Sequence, residues 1–467
     1  MIAFHLRTAC FLLLALVPSI CAAAQDDDQV VRLTLHPAAE AKPALKYQLL
    51  PPFADRIKEN AAVYYGKVTA EQIPFFSNKE LLEKFEKLRS APLDELRKGD
   101  VVQLPRTVRY HLERAARCEY CDWQLPLREE PFYEILLPDL QQTREFARLL
   151  ATQARIQIAR GQFDDAIKSL QSGFAIGQHA AAGETIINGL VGIAVSAVMC
   201  EQVTQFIQQP DAPNLYWALT MLQRPWVDMR RALEAEMNAL VFTFPELRDV
   251  EKAQHSPDEW RQILVRFWQK IFSLAAPNQP GAATAPEAVT ALCLRGFPGA
   301  KARLIGQGMP QDKVDAMPVA QVVLIDTMRT FEELRDDLCK WFYIPDSEGA
   351  AGLSTAEAKL RAAATEGREV LPVASMLLPA IGAVRARITR MDQQIAELRV
   401  IEALRIHAAG HEGQLPKQLS DVTAVTVPLD PATNKPFEYR VEGDTAHLQG
   451  SELSGRRSNY EIKMARP

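Results

Sequence analysis

Apolar residues return every three to four positions through most of this 467-residue chain, and that spacing commits it to packing helix against helix. Between Arg144 and Arg155, Phe146, Leu149, Leu150 and Ala154 fall on one helical face, while Arg144, Glu145, Arg148 and Arg155 gather on the other. The same periodicity predicts helices over 55–68, 79–90, 93–98, 107–117, 137–160, 163–179 and 184–208. After Pro210 a short helix is expected to reach Leu222, and another runs over 226–240. Ser256-Pro257-Asp258-Glu259 combines a capping hydroxyl, a first-turn proline and first-turn acids. An apolar stripe of Trp260, Ile263, Leu264, Phe267, Trp268 and Ile271 follows it. Thr284 with Glu287 and Ser354 with Glu357 have capping-box spacing. A long helical run bent at Pro372 and Pro379 carries the chain to His407.

Strand character is confined to the two ends. Val30–Leu35 alternates weakly, and Lys46–Leu50 either pairs with it or runs extended. Near the C-terminus, Pro436–Val441 and Thr445–Leu448 flank Glu442-Gly443-Asp444, the composition of a hairpin turn. The expected fold class is therefore mainly α: an irregular helical array with a small C-terminal α+β unit. The expected organisation is a leader (1–24), an extended segment (25–54), a helical domain (55–275), a linker (276–286), a second helical region (287–409) and a C-terminal hairpin unit (410–467). A second linker is expected over 345–352.

The first residues address the chain. Arg7, an apolar run over Ala9–Ile20 and Ala22-Ala23-Ala24 before the first acids form the pattern of a secretory signal peptide. The run is about a dozen residues against the roughly 20 a spanning helix needs, so a retained anchor is not expected. Lipidation at Cys21 is the alternative, and Pro18-Ser19-Ile20 fits a lipobox poorly. The apolar windows 186–203 and 370–384 are interrupted by Asn188, Glu201, Pro372 and Pro379, and no integral span is expected in the mature chain. The expected localisation is periplasmic or secreted.

Charge disfavours nucleic acid as a partner. The chain has 53 Lys and Arg against 58 Asp and Glu; without Arg7, acids lead by six, and no dense basic stripe meets a phosphate backbone. Cys10 and Cys21 leave with the leader, so Cys118, Cys121, Cys200, Cys293 and Cys339 remain. Five cysteines make no dense disulfide framework.

Three resemblances attach to particular residues. Ala154, Gly161, Phe163, Ala166, Leu170 and Gly173 sit where a tetratricopeptide repeat places its small, aromatic and apolar positions, giving a helical hairpin at 147–179. The pattern does not recur, since Val195 occupies the next turn-glycine position. The tail, with G-x-L-P from Gly413 and D-P-x-x-x-x-P-F-x-Y from Asp430, resembles the end of bacterial pseudopilins. The apolar pilin helix and its processing site are absent, and the preceding helix reads as polar and amphipathic; filament assembly is not implied. As a whole the chain resembles a family of exported proteins of planctomycete-type bacteria, through CDWQLPL, LLPDLQQTREFARLL, APNLYWAL and VPLDPATNKPFEYR. That family brings no established activity.

Cys118-Glu119-Tyr120-Cys121 is the sharpest candidate for chemistry, as a disulfide or redox pair. Asp122 stands where covalent haem attachment needs histidine, and no second cysteine pair completes a zinc site. The bland reading is a local disulfide or a buried cysteine beside Trp123. His407 and His411 lack the acid between them that H-E-x-x-H requires; they and His179 read as helix-terminal histidines favoured by the dipole. Glu129-Glu130, Glu332-Glu333 and Asp336-Asp337 read as solvated faces, Asp430 as a turn cap, and the tryptophans as core anchors with sugar stacking as the alternative. No catalytic, cofactor or metal residue is assigned and no cofactor is expected. The leading expectation is an exported, non-catalytic helical scaffold acting through contacts with a protein partner. The alternative is an envelope enzyme, of hydrolase or thiol–disulfide type, whose residues converge only in three dimensions.

Overall fold

The computed structural model describes residues 30–99, 101–275 and 285–465. The expected leader, Cys21, Thr284 and most of the linker at 276–286 lie outside the described residues. In chain order the elements begin with β1 (Val31–Leu35), β2 (Ile57–Asn60), α1 (Ala61–Glu71), α2 (Ile73–Phe76), α3 (Lys79–Ser90), α4 (Leu93–Lys98), α5 (Arg106–Ala116) and β3 (Cys118–Tyr120). Then come α6 (Pro138–Ala159), α7 (Phe163–Ala181), α8 (Ile186–Phe206), α9 (Tyr216–Thr220), α10 (Arg230–Met237), α11 (Ala239–Thr243) and α12 (Pro257–Ala275). The remainder is α13 (Pro286–Gly306), α14 (Gln311–Asp315), α15 (Val319–Cys339), α16 (Asp346–Thr365), α17 (Val373–Leu377), α18 (Pro379–Gly410), β4 (Glu438–Glu442), β5 (Thr445–Gln449) and β6 (Asn459–Met464). The protein is mainly α with a small C-terminal α+β region, as its periodicity requires.

Contacts divide the chain into two compact units whose segments interleave. Of the described residues, one unit combines those within 30–124, 137–232 and 386–465; the other holds those within 125–136 and 233–385. This differs from the expected order of consecutive domains. The tail shares a unit with the first strands and helices. Strand pairing joins residues far apart in sequence, which local composition cannot register.

In the first of these units, α6, α7 and α8 pack as neighbours. Gly161, with φ +68°, makes the turn between α6 and α7 in a conformation side chains disfavour. Ala154, Ala166 and Leu170 are fully buried, and Phe163 meets Phe206 edge-on at 5.2 Å. Helix α8 is long and apolar enough to cross a membrane, yet 67% of that window is buried inside the structure. Its small residues explain the fit. A Cβ on Gly192 would stand 2.5 Å from the Gly177 carbonyl oxygen and 2.9 Å from the Ala181 nitrogen. A Gly192→Ala variant is therefore expected to lose about 1–3 kcal/mol through forced separation of α7 and α8, read as a lower urea midpoint at unchanged slope.

The sheet orders its strands β1-β6-β5-β4. Hairpin β4–β5 forms where expected, with Gly443 at φ +64° in its turn. The Lys46–Leu50 segment is not a strand, and the partner of β1 is β6, in parallel register from Val31↔Tyr460 to Leu35↔Met464. Leu33, Leu35, Ala446, Leu448, Tyr460 and Ile462 all bury, one from every second position. Asp430 caps a turn as expected, its Oδ1 accepting from the Ala432 N–H at 2.9 Å. Its Oδ2 accepts from the Ser451 N–H and from Gln393 Nε2.

Helix α18 departs from the amphipathic reading: every residue from Ile395 to Ala408 is buried. Its polar side chains are satisfied by anchoring other segments of the same unit. Arg405 forms two 3.0 Å bonds to Glu402 and donates to the carbonyls of His36 and Ala212. Glu402 also accepts from the Leu215 N–H and the Asn214 amide. Arg399 lies over the Tyr216 ring and donates to Thr220.

In the other unit, the capping box at Ser256 and Glu259 forms in both directions, and all six stripe residues of α12 are buried. Ser354 caps nothing, because α16 begins at Asp346 and runs through both Ser354 and the expected 345–352 linker. The glycines there serve close packing, since a Cβ on Gly352 would stand 2.2 Å from the Trp341 ring. Arg303 and Asp326 make a bidentate pair between α13 and α15.

Candidate functional site

Four helices and two strands of the first unit line a crevice of about 220 Å³, α18 contributing Gln394. Helix α3 supplies Arg89 from its last turn. Helix α6 supplies Ala151 and Arg155, four positions apart on one face. Helix α8 turns polar towards its end and supplies Glu201, Gln202, Thr204 and Gln205, while Val31 and Tyr460 close the wall from β1 and β6. The spacing 201, 202, 204, 205 keeps this polar face over the last two turns of an otherwise apolar helix.

The two arginines are held by their own scaffolds. Arg155 donates through Nε and Nη2 to the Ala91 carbonyl at 3.2 and 2.9 Å. Arg89 chelates Glu86, with Nη2 at 2.5 Å. Glu201, between them in charge, makes no hydrogen bond or ion pair among the described residues. Burial pushes its carboxyl up to about 7, with the nearby Arg89 and Arg155 opposing that rise only in part. Arg155 is shifted downward, first by burial. Gln202 is 6% exposed, and its Oε1 has no hydrogen-bond partner among the described residues. Behind the wall, Tyr460 Oη donates to Glu397 Oε2 at 3.2 Å, and burial pushes Glu397 up to about 7. The crevice thus offers two cations, one carboxyl poised at neutrality and one unanswered acceptor.

The sequence candidates lie elsewhere. Cys118 and Cys121 are free thiols, 5% and 7% exposed. Burial pushes Cys118 up to about 11 and raises Cys121 further from the thiolate range, although the Ala62 N–H at the start of α1 donates to it. A reactive cysteine needs the opposite environment. Native protein is accordingly expected to react with a thiol reagent at pH 8 far more slowly than urea-unfolded protein at Cys118, Cys121, Cys200, Cys293 and Cys339, all of which are buried. Rapid labelling of Cys118 or Cys121 in the folded state would refute this.

His179 is not a merely terminal histidine. Its Nε2 faces the Cys118 carbonyl at 3.2 Å, so that nitrogen carries the proton, and Nδ1 accepts from Tyr65 Oη at 2.8 Å. Trp123 donates to the His179 carbonyl and stacks on Tyr65. His407 and His411 stack at 3.9 Å at the end of α18, with the His411 Nδ1 on the His407 carbonyl. Among the described residues no three His, Cys, Asp or Glu are placed to hold a metal ion.

Glu333 and Asp337 belong to an ion-pair network with Lys359, Arg368 and Lys340. Their carboxyls sit below the usual range, chiefly through hydrogen bonds from Arg368 and Lys340 respectively. Tyr216, Trp226, Trp260 and Trp268 are buried anchors. Sequence reading missed the crevice because its lining comes from six separate stretches of chain. One signal was present: Glu201 is an acid inside an otherwise apolar helix.

No family model matches this chain, and no curated protein or solved structure matches it either.

Proposed function

We propose that this is an exported recognition protein, acting by non-covalent binding in the periplasm or outside the cell, with no integral span after leader removal. The leader pattern over residues 1–24 supports export. The observation that carries the binding role is the crevice, where the buried Gln202 Oε1 has no partner among the described residues and Glu201 lies between two anchored guanidinium groups without a hydrogen bond to either. Buried polar groups are almost always satisfied, and a group left unanswered in a cleft marks a place where a ligand completes the hydrogen bonding. The helical array around it provides the surface a protein partner would contact.

An envelope enzyme is the second reading, and one observation favours it: a carboxyl titrating near neutrality in a cleft is what general acid–base work uses. One experiment separates the two. Purified mature protein is incubated with envelope extract, and both retained components and consumed components are measured for wild type, Glu201→Gln and Arg155→Lys. Stoichiometric retention that weakens in the variants, without consumption, is the expected result. Catalytic turnover abolished by Glu201→Gln would replace the binding role with an enzymatic one.

A further inference from the structure

We propose, building on the recognition role above, that the crevice holds the zwitterionic head of a free α-amino acid, its carboxylate on Arg89 and Arg155 and its ammonium on Glu201 and Gln202. The charges already present select this class. A simple anion satisfies the guanidinium groups but leaves the buried Gln202 Oε1 without a donor and is repelled by Glu201 in its carboxylate form. A simple amine meets those two and leaves both cations unanswered. A ligand with an anionic and a donating end a few bonds apart complements all four groups.

Geometry leaves room for it. Arg155 uses Nε and Nη2 on the Ala91 carbonyl, and Arg89 uses Nε and Nη2 on Glu86, so the Nη1 of each stays free among the described residues. The crevice volume of about 220 Å³ is that of roughly seven waters at about 30 Å³ each, suited to a small amino acid and too small for a folded partner. Gln202, nearly fully buried, supplies the acceptor that gains most from a donor.

Binding carries a proton signature. The charged or titratable groups facing Glu201 are Arg89 from α3, Arg155 from α6 and Tyr460 from β6. With its carboxyl near 7, Glu201 is partly protonated at neutral pH. An ammonium placed beside it favours the carboxylate, so the carboxyl O–H bond breaks and the proton passes to buffer.

The test is calorimetric titration of the full mature protein at pH 7 in two buffers of different ionisation enthalpy. The probes are the twenty L-amino acids, with propionate, ethylamine and dialanine as controls. At least one amino acid is expected to bind saturably, with propionate and ethylamine weaker by about tenfold or more and proton release visible between buffers. Gln202→Met and Arg155→Lys, checked for folding by circular dichroism, are expected to weaken binding by about tenfold; Glu201→Gln is expected to remove the proton release. Dialanine binding as tightly as the free amino acids would overturn the assignment in favour of a peptide end. Equal affinity for propionate, or affinities indifferent to Gln202 and Arg155, would also overturn it. If amino acids fail while another compound binds in a Glu201- and Arg155-dependent way, this assignment falls and the recognition role stands. If no ligand depends on these residues, both fall.

Discussion

An Arg405→Met variant is expected to lose about 3–5 kcal/mol of unfolding free energy, the largest single-residue effect on this molecule. Arg405 and Glu402 are both 0% exposed, and the arginine is the cation facing that carboxylate at 3.0 Å. Removing it strands a charge in a medium that solvates charge poorly. The loss extends beyond the pair, because the same guanidinium donates to the His36 and Ala212 carbonyls. The buried Ala212 carbonyl is then left short of a donor, and the part-buried His36 carbonyl loses one. The double variant Glu402→Gln/Arg405→Met is expected to be more stable than Arg405→Met alone, since it also removes the stranded charge. Urea unfolding of wild type, both single variants and the double variant measures the coupling. A loss below about 1 kcal/mol for Arg405→Met, or strictly additive variants, would show that this pair does not anchor the unit.

The second large effect is a pH-dependent one at His179. Burial holds this imidazole at about 4, below its ordinary 6.5, because a proton on Nδ1 would displace the hydrogen bond from Tyr65 and place a charge in the core. The folded state therefore binds fewer protons than the unfolded chain between those values. His179 contributes its full stabilisation above about pH 6.5, and loses it as pH falls towards 4. The shift corresponds to about 3 kcal/mol at 1.36 kcal/mol per pH unit. Glu201, Glu397 and Asp392, all raised chiefly by burial, titrate in the opposite sense and flatten the profile of the whole protein. The informative quantity is the stability difference between wild type and His179→Gln, in which those carboxyls cancel. That difference is expected to shrink by about 3 kcal/mol from pH 7.5 to pH 4. A difference independent of pH would show that His179 accepts a proton without cost in the folded state.

Helices were legible wherever a local rule was sufficient. The α3 and α4 boundaries follow from caps, charge and apolar spacing within a dozen residues, and the Ser256–Glu259 capping box needs only four. Interior polar residues were misread for the same reason. In α18 the alternation of Glu397, Arg399, Glu402 and Arg405 with apolar residues has the pattern of a solvated face. Only the approach of His36, Ala212, Asn214 and Tyr460 makes that face an interior one. Glycines misled similarly at 349 and 352, where close packing against Ile344 and Trp341, and not chain flexibility, accounts for them.

What the amino-acid order decided alone is the helical class, most helix limits and the C-terminal hairpin, because backbone hydrogen bonds and periodic apolar contacts act over a few residues. Tertiary structure alone decided the pairing of β1 with β6, the burial of α18, the environment of His179 and the meeting of Arg89, Arg155, Glu201 and Gln202 in one crevice. Charge interaction and desolvation depend on distance and burial, and neither is set until segments remote in sequence have packed together.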